Sequence, residues 1–153
     1  MMAPRPPGVN HRPAERPRLP LEMRLRYQRG KLQHLLDNPD RPCASDPSPW
    51  DDNLDQDQTR ALCRGCPLTV ACGTVAVIDE AIVLADSECH ATNALTWMVS
   101  GTRGGVTARA RRRTVRALAD QIITERMARA EQARAETARK RKAAQAAKAG
   151  AAS

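Results

Sequence analysis

Cys43, Cys63, Cys66 and Cys72 stand in a C-x19-C-x2-C-x5-C array, and no other feature of the chain so restricts how it can fold. Three of these thiols fall within one short stretch, Cys63-Arg64-Gly65-Cys66-Pro67-Leu68-Thr69-Val70-Ala71-Cys72, and the fourth comes from well upstream. If all four meet at one centre, two separate segments must be brought together, and binding there becomes coupled to folding. The chain has reason to need such a tie. It has 153 residues, no Phe, two Trp and one Tyr. Aromatic side chains supply much of a normal core. A chain without them forms a small core, and small cores are commonly stapled by metal or disulfides.

The length fits one domain with tails. Residues 1–20 are rich in Pro and Arg, show no apolar h-region, and read as a disordered basic arm. No apolar run approaches the ~20 residues of a membrane span. These features lead us to expect a cytoplasmic protein, where clustered cysteines more often bind metal or do redox work than form structural disulfides.

The net charge of +8 is unevenly spread: residues 1–36 carry +6, residues 37–93 carry −8, and residues 94–153 carry +10. The cysteines thus lie in an acidic body between basic arms. A basic tail is the electrostatic footprint of nucleic-acid binding. The acidic body repels phosphate and suits a basic protein partner.

The periodicity predicts an all-α fold. Leu21, Leu25, Leu32, Leu35 and Leu36 mark a helix over 21–36, ended by Asn38-Pro39 and Arg41-Pro42. Asp46-Pro47-Ser48-Pro49 reads as a turn or loop. A helix carrying Leu54, Ala61 and Leu62 leads into Cys63. Pro67 fits the first turn of the next helix, whose face is Val70, Ala71, Val75, Ile78, Ile82 and Ala85, with Cys72 upon it. A buried strand over 75–78 is the weaker assignment, because the apolar spacing continues at three and four. Gly101-Thr102-Arg103-Gly104-Gly105 is a turn. One long helix is expected from Val106 to about Lys148, with a short apolar stripe of Val115, Leu118, Ile122 and Ile123, and with Glu125–Arg129 and Glu136–Lys140 as i,i+4 pairs. The organisation expected is a basic arm over 1–20, a metal-binding domain over 21–113 and a basic helical tail over 114–153.

Three readings of the cysteines fit their spacing. Four thiolates can hold a structural zinc ion, although zinc sites more often show two C-x2-C knuckles. An iron–sulfur cluster tolerates the uneven spacing. Buried free thiols acting as small hydrophobes are the bland alternative, and four in this arrangement argue against it. A thiol–disulfide oxidoreductase using Cys63 and Cys66 lacks the βαβ context of that chemistry. Cys89-His90 could add ligands, but four cysteines already complete a site, so a free thiol and a surface histidine are expected. The acidic group Asp51, Asp52, Asp55 and Asp57 lacks the Gly and terminal Glu of a calcium loop. No nucleophile–base pair or phosphate loop is visible, so no enzyme is expected. Arg109, Arg111, Arg112, Arg113 and Arg116 are candidate phosphate contacts. No aromatic residues interleave with them, which argues against base stacking.

Cys63-x2-Cys66-Pro67-Leu68-x3-Cys72, the upstream Cys43-x2-Asp46-Pro47 with Trp50 following, and the later Gly101-x2-Gly104-Gly105 before a basic stretch resemble the WhiB-like proteins of actinobacteria and their phages. The resemblance runs from Cys43 to about Arg113. It implies a small helical domain holding a 4Fe-4S cluster on Cys43, Cys63, Cys66 and Cys72. It also implies a transcriptional regulator responsive to oxygen, nitric oxide or redox state, whose thiols can pair, Cys63 with Cys66 for one, once released. The partners it implies are DNA and the principal sigma factor of RNA polymerase. One position departs from the family: Arg103 stands where the turn usually has Trp. That Trp helps dock the family on the sigma factor, so the chain lacks an aromatic anchor of the kind that dominates interfaces. Trp97 is the nearest aromatic upstream.

Overall fold

The computed structural model describes residues 19–51, 54–87 and 92–151. The arm expected to be disordered lies almost wholly outside these residues, as do Cys89 and His90. Six helices are described: α1 Leu21–Leu36, α2 Ser48–Asp51, α3 Gln56–Leu62, α4 Thr69–Asp86, α5 Thr92–Met98 and α6 Ala108–Ala151. No strand occurs among the described residues, only an isolated bridge between Arg103 and Val106. The all-α expectation holds.

Helix α4 is the centre of the molecule because it is apolar on several faces. It buries Val75, Ile78, Ala81, Ile82, Leu84 and Ala85. Helix α6 packs on it through Val115, Ala119 and Ile122, with Leu118 and Ile123 at the margin. Helix α1 covers another side with Leu21 and Leu25. Polar ties set the directions. Glu22 near the start of α1 and Asp86 at the end of α4 share Arg126, while Arg29 pairs with Asp79. Helix α1 is therefore antiparallel to α4. Helix α6 runs in the same sense as α4, with Arg111 on Glu80 and Arg126 on Asp86.

From Met127 to Gly150 every residue of α6 is exposed. At ~1.5 Å per residue this free stretch is about 36 Å long. It carries the expected i,i+4 pair Glu136–Lys140, and the other, Glu125–Arg129, joins its base to the packed part of the helix. The packed half of α6 passes through residue 113 without interruption, so the division drawn there from sequence matches no break in the helix.

Three local expectations are corrected. Asp46 and Pro47 are loop as expected, but Ser48 and Pro49 open a one-turn helix, α2, and the Ser48 N–H donates to Asp46 Oδ1 at 3.0 Å. Pro67 precedes α4 instead of sitting in its first turn. The first helical bond runs from the Cys72 N–H to the Leu68 carbonyl at 2.8 Å, which leaves Pro67 in the turn that carries Cys66. Helix α5 has no counterpart in the sequence reading, being seven residues long with too little apolar periodicity to register.

Candidate metal centre

Each cysteine is set by its own local device. Asp55 caps α3 by accepting from the Asp57 and Gln58 N–H groups, and Gln58 returns a bond to the Asp55 N–H, forming a capping box. This fixes the helix that ends at Cys63. The chain then turns through Gly65, whose φ of +77° suits glycine, and the Cys66 N–H bonds the Cys63 carbonyl at 3.2 Å. Thr69 Oγ1 donates to the Cys66 carbonyl at 2.7 Å, tying that turn to α4, whose first turn bears Cys72. Cys43 arrives from the bend after α1, where the Ala44 N–H bonds the Arg41 carbonyl.

These four thiols, all half-buried and free of disulfides, line one cavity of about 270 Å³ together with Arg41, Trp50, Leu68 and Arg103. A water molecule claims about 30 Å³ of liquid, so the space holds several atoms. The thiols border this chamber without converging: among the described residues no three His, Cys, Asp or Glu side chains are gathered as a site for a single metal ion.

The glycine turn locks the chamber from one side. The Thr102 N–H donates to the Trp50 carbonyl at 2.5 Å, Thr102 and Thr59 join their buried hydroxyls at 3.1 Å, and Gln56 Nε2 donates to the Gly105 carbonyl at 2.8 Å. Gly104 presses on α4 so closely that a Cβ there would collide with the Thr69 carbonyl and lie 2.5 Å from the Gly73 nitrogen. Only glycine fits, and its φ of +60° agrees. That proximity lets the Gly104 backbone bond Cys72. Burial pushes the Cys72 thiol up from its ordinary range, the bond from Gly104 opposes this, nearby Cys43 and Cys63 raise it further, and Arg103 lowers it. A thiol so placed becomes a thiolate when positive charge arrives beside it.

The donor set and the surroundings fit a thiolate-held cluster. Four sulfurs face one chamber. One backbone N–H, that of Gly104, reaches a sulfur, that of Cys72, a bond of the kind that tunes cluster sites. Arg41 Nε is buried with no hydrogen-bond partner, and its side chain borders the same space. A cluster's sulfurs are acceptors of the kind it lacks.

The basic residues do not all share one role. Arg111 is corrected: its side chain is 2% exposed, paired with Glu80 at 2.8 Å and bonded to the carbonyls of Ser100, Gly101 and Val106. It joins the start of α6 to α4 and the glycine turn, and offers nothing to phosphate. Arg109 and Arg113 are exposed, while Arg112 and Arg116 are half-buried. Gly101 and Gly105 sit with Gly104 in the turn, as the motif implies. Sequence reading missed Arg41, although it lies two residues before Cys43, where a contribution to the site could have been sought, and it took Asp51 only as part of an acidic loop, whereas Asp51 lines the same cavity. Trp97 is 84% exposed on α5 and does not line the cavity. No helix among the described residues is long and apolar enough to cross a membrane. Comparison with protein-family models, curated proteins and solved structures finds no match.

Proposed function

We propose that this chain is a WhiB-like transcriptional regulator that holds a 4Fe-4S cluster on Cys43, Cys63, Cys66 and Cys72 and acts through DNA. The observation that carries this reading is the single chamber lined by all four thiols. Zinc–sulfur bonds of ~2.3 Å would draw four sulfurs to roughly 4 Å from one another, whereas a cluster needs its ligands spread around a larger body. The cavity these thiols help to line has room for several atoms, which favours a cluster over a zinc ion.

When bound, the cluster would supply a centre sensitive to redox state and nitric oxide. The chain's own part is mechanical. Cys43 joins the segment after α1 to the start of α4, and Cys63 and Cys66 join the end of α3 to the same place. Gly104 couples Cys72 to the turn that leads into α6. A change in how the thiols are held therefore reaches the base of the basic helix through about one turn of packed backbone. Arg109, Arg113 and the free end of α6 supply cations for phosphate.

Direct sigma-factor docking is the weaker part of the reading. Arg103, in the position of the family's aromatic, turns back to Thr102 and Asp51, which leaves DNA as the favoured partner.

Anaerobic purification followed by iron, sulfide and zinc analysis tests the proposal. The expected result is a brown protein with iron and sulfide in equal amounts, lost in serine variants of the four cysteines. A colourless protein with stoichiometric zinc overturns it.

A further inference from the structure

Two cations border the thiol chamber from separate segments: Arg41, before Cys43, and Arg103, in the glycine turn. Their situations differ. Arg41 Nε is buried and without a partner. Arg103 Nη1 donates to the Thr102 carbonyl at 2.9 Å, and Nη2 reaches Asp51 Oδ1 at 3.3 Å, a pair that remains partly exposed. A buried donor atom left unmet is costly unless an acceptor completes it, and on the half-buried Arg41 that atom is Nε. A cluster on four thiolates is negative, and its reduction adds one more negative charge at the same place. Nearby positive charge favours the more negative state, and net charge and hydrogen bonding to the sulfurs set cluster potentials.

We infer that Arg41 and Arg103 are positioning residues for the cluster's charge, raising its reduction potential, and that Asp51, which borders the same cavity, pairs with Arg103 and opposes it. This rests on the cluster reading above. In this chain the position of the family's aromatic is thereby turned from a docking surface toward the metal centre. The redox step is a one-electron reduction of the bound cluster by an external donor such as dithionite, with no bond made or broken in the arginines.

The test is an anaerobic redox titration of the full-length, cluster-loaded protein, followed by visible absorption. R41Q and R103Q should each shift the midpoint potential negative, and the double variant further. R103K keeps the charge and should return most of the shift. D51N removes the opposing carboxylate and should shift the potential positive. The opposite signs of R103Q and D51N separate an electrostatic effect from simple loosening of the site. If R103Q loads its cluster and titrates at the wild-type potential, the inference is overturned. If R103Q takes up no cluster, D51N decides, since an unchanged or more negative potential there also overturns it. A wild-type protein that binds no iron and sulfide instead removes the parent reading, a result read from metal analysis before any titration.

Discussion

Gly104 shows how far one residue can govern this site. Its missing side chain allows the turn to touch α4 between Thr69 and Gly73, and that contact brings a backbone donor to Cys72. Gly104→Ala must shift backbone on both sides and adopt a disfavoured φ. We expect a loss on the order of 3 kcal/mol in thermal or denaturant unfolding of the full chain, with reduced cluster retention in the same protein. Asp55 acts at smaller scale. Asp55→Ala removes the capping box of α3 and should cost about 1 kcal/mol in the same assay. The glycine turn is legible in the sequence because it is a local pattern, whereas the capping box of Asp55 and Gln58, equally local, is passed over when the stretch is read as an acidic loop. What Gly104 presses against is not legible there, because Thr69 and Gly73 meet it only in the folded chain.

At the level of elements, α1 and α6 are fastened to α4 by different chemistry. Arg111 and Glu80 form a shielded pair, so Arg111→Ala leaves a carboxylate without its partner and should destabilise the fold by about 3–5 kcal/mol. Arg113→Ala on the exposed side should stay within about 0.5 kcal/mol and instead weaken binding to duplex DNA. Denaturation and DNA titration of the two variants should therefore give opposite rankings. The α1 end depends on Glu22. Its carboxyl is held below the ordinary range chiefly by the Arg26 hydrogen bond and further by Arg126, against the opposing effect of burial. A lowered carboxylate pKa stabilises the fold above the unfolded value of about 4.3, and that contribution is lost as pH falls through the folded value. Circular dichroism over an acid titration should show Glu22→Gln with a shallower decline below about pH 4.5 than the parent chain.

Over the whole molecule, charge and packing divide the labour. The three packed helices bury an aliphatic core without Phe, while the far end of α6 extends clear of it with Arg134, Arg139, Arg141 and Lys142 exposed. DNA binding by this arm should be mainly electrostatic. The logarithm of affinity should fall linearly with the logarithm of salt, and removing Arg139, Arg141 and Lys142 together should flatten that slope by up to roughly 0.9 per lost phosphate contact. Affinity that does not change between low and moderate salt would contradict the role given to this helix.

The sequence by itself determined the helical class, the span of α1, and the long basic helix with its two i,i+4 pairs. Those properties are periodic or local, and periodicity survives without knowing what packs where. Tertiary structure alone decided that Arg111 is internal while its neighbours Arg109 and Arg113 face water. It alone brought Cys43 to the chamber of Cys72, and set Arg41 and Arg103 at its edge. A run of arginines carries the same charge at every position in a sequence. Only the burial of one helix face, and the partner it meets there, separates a cation that holds the fold together from one left to meet a ligand.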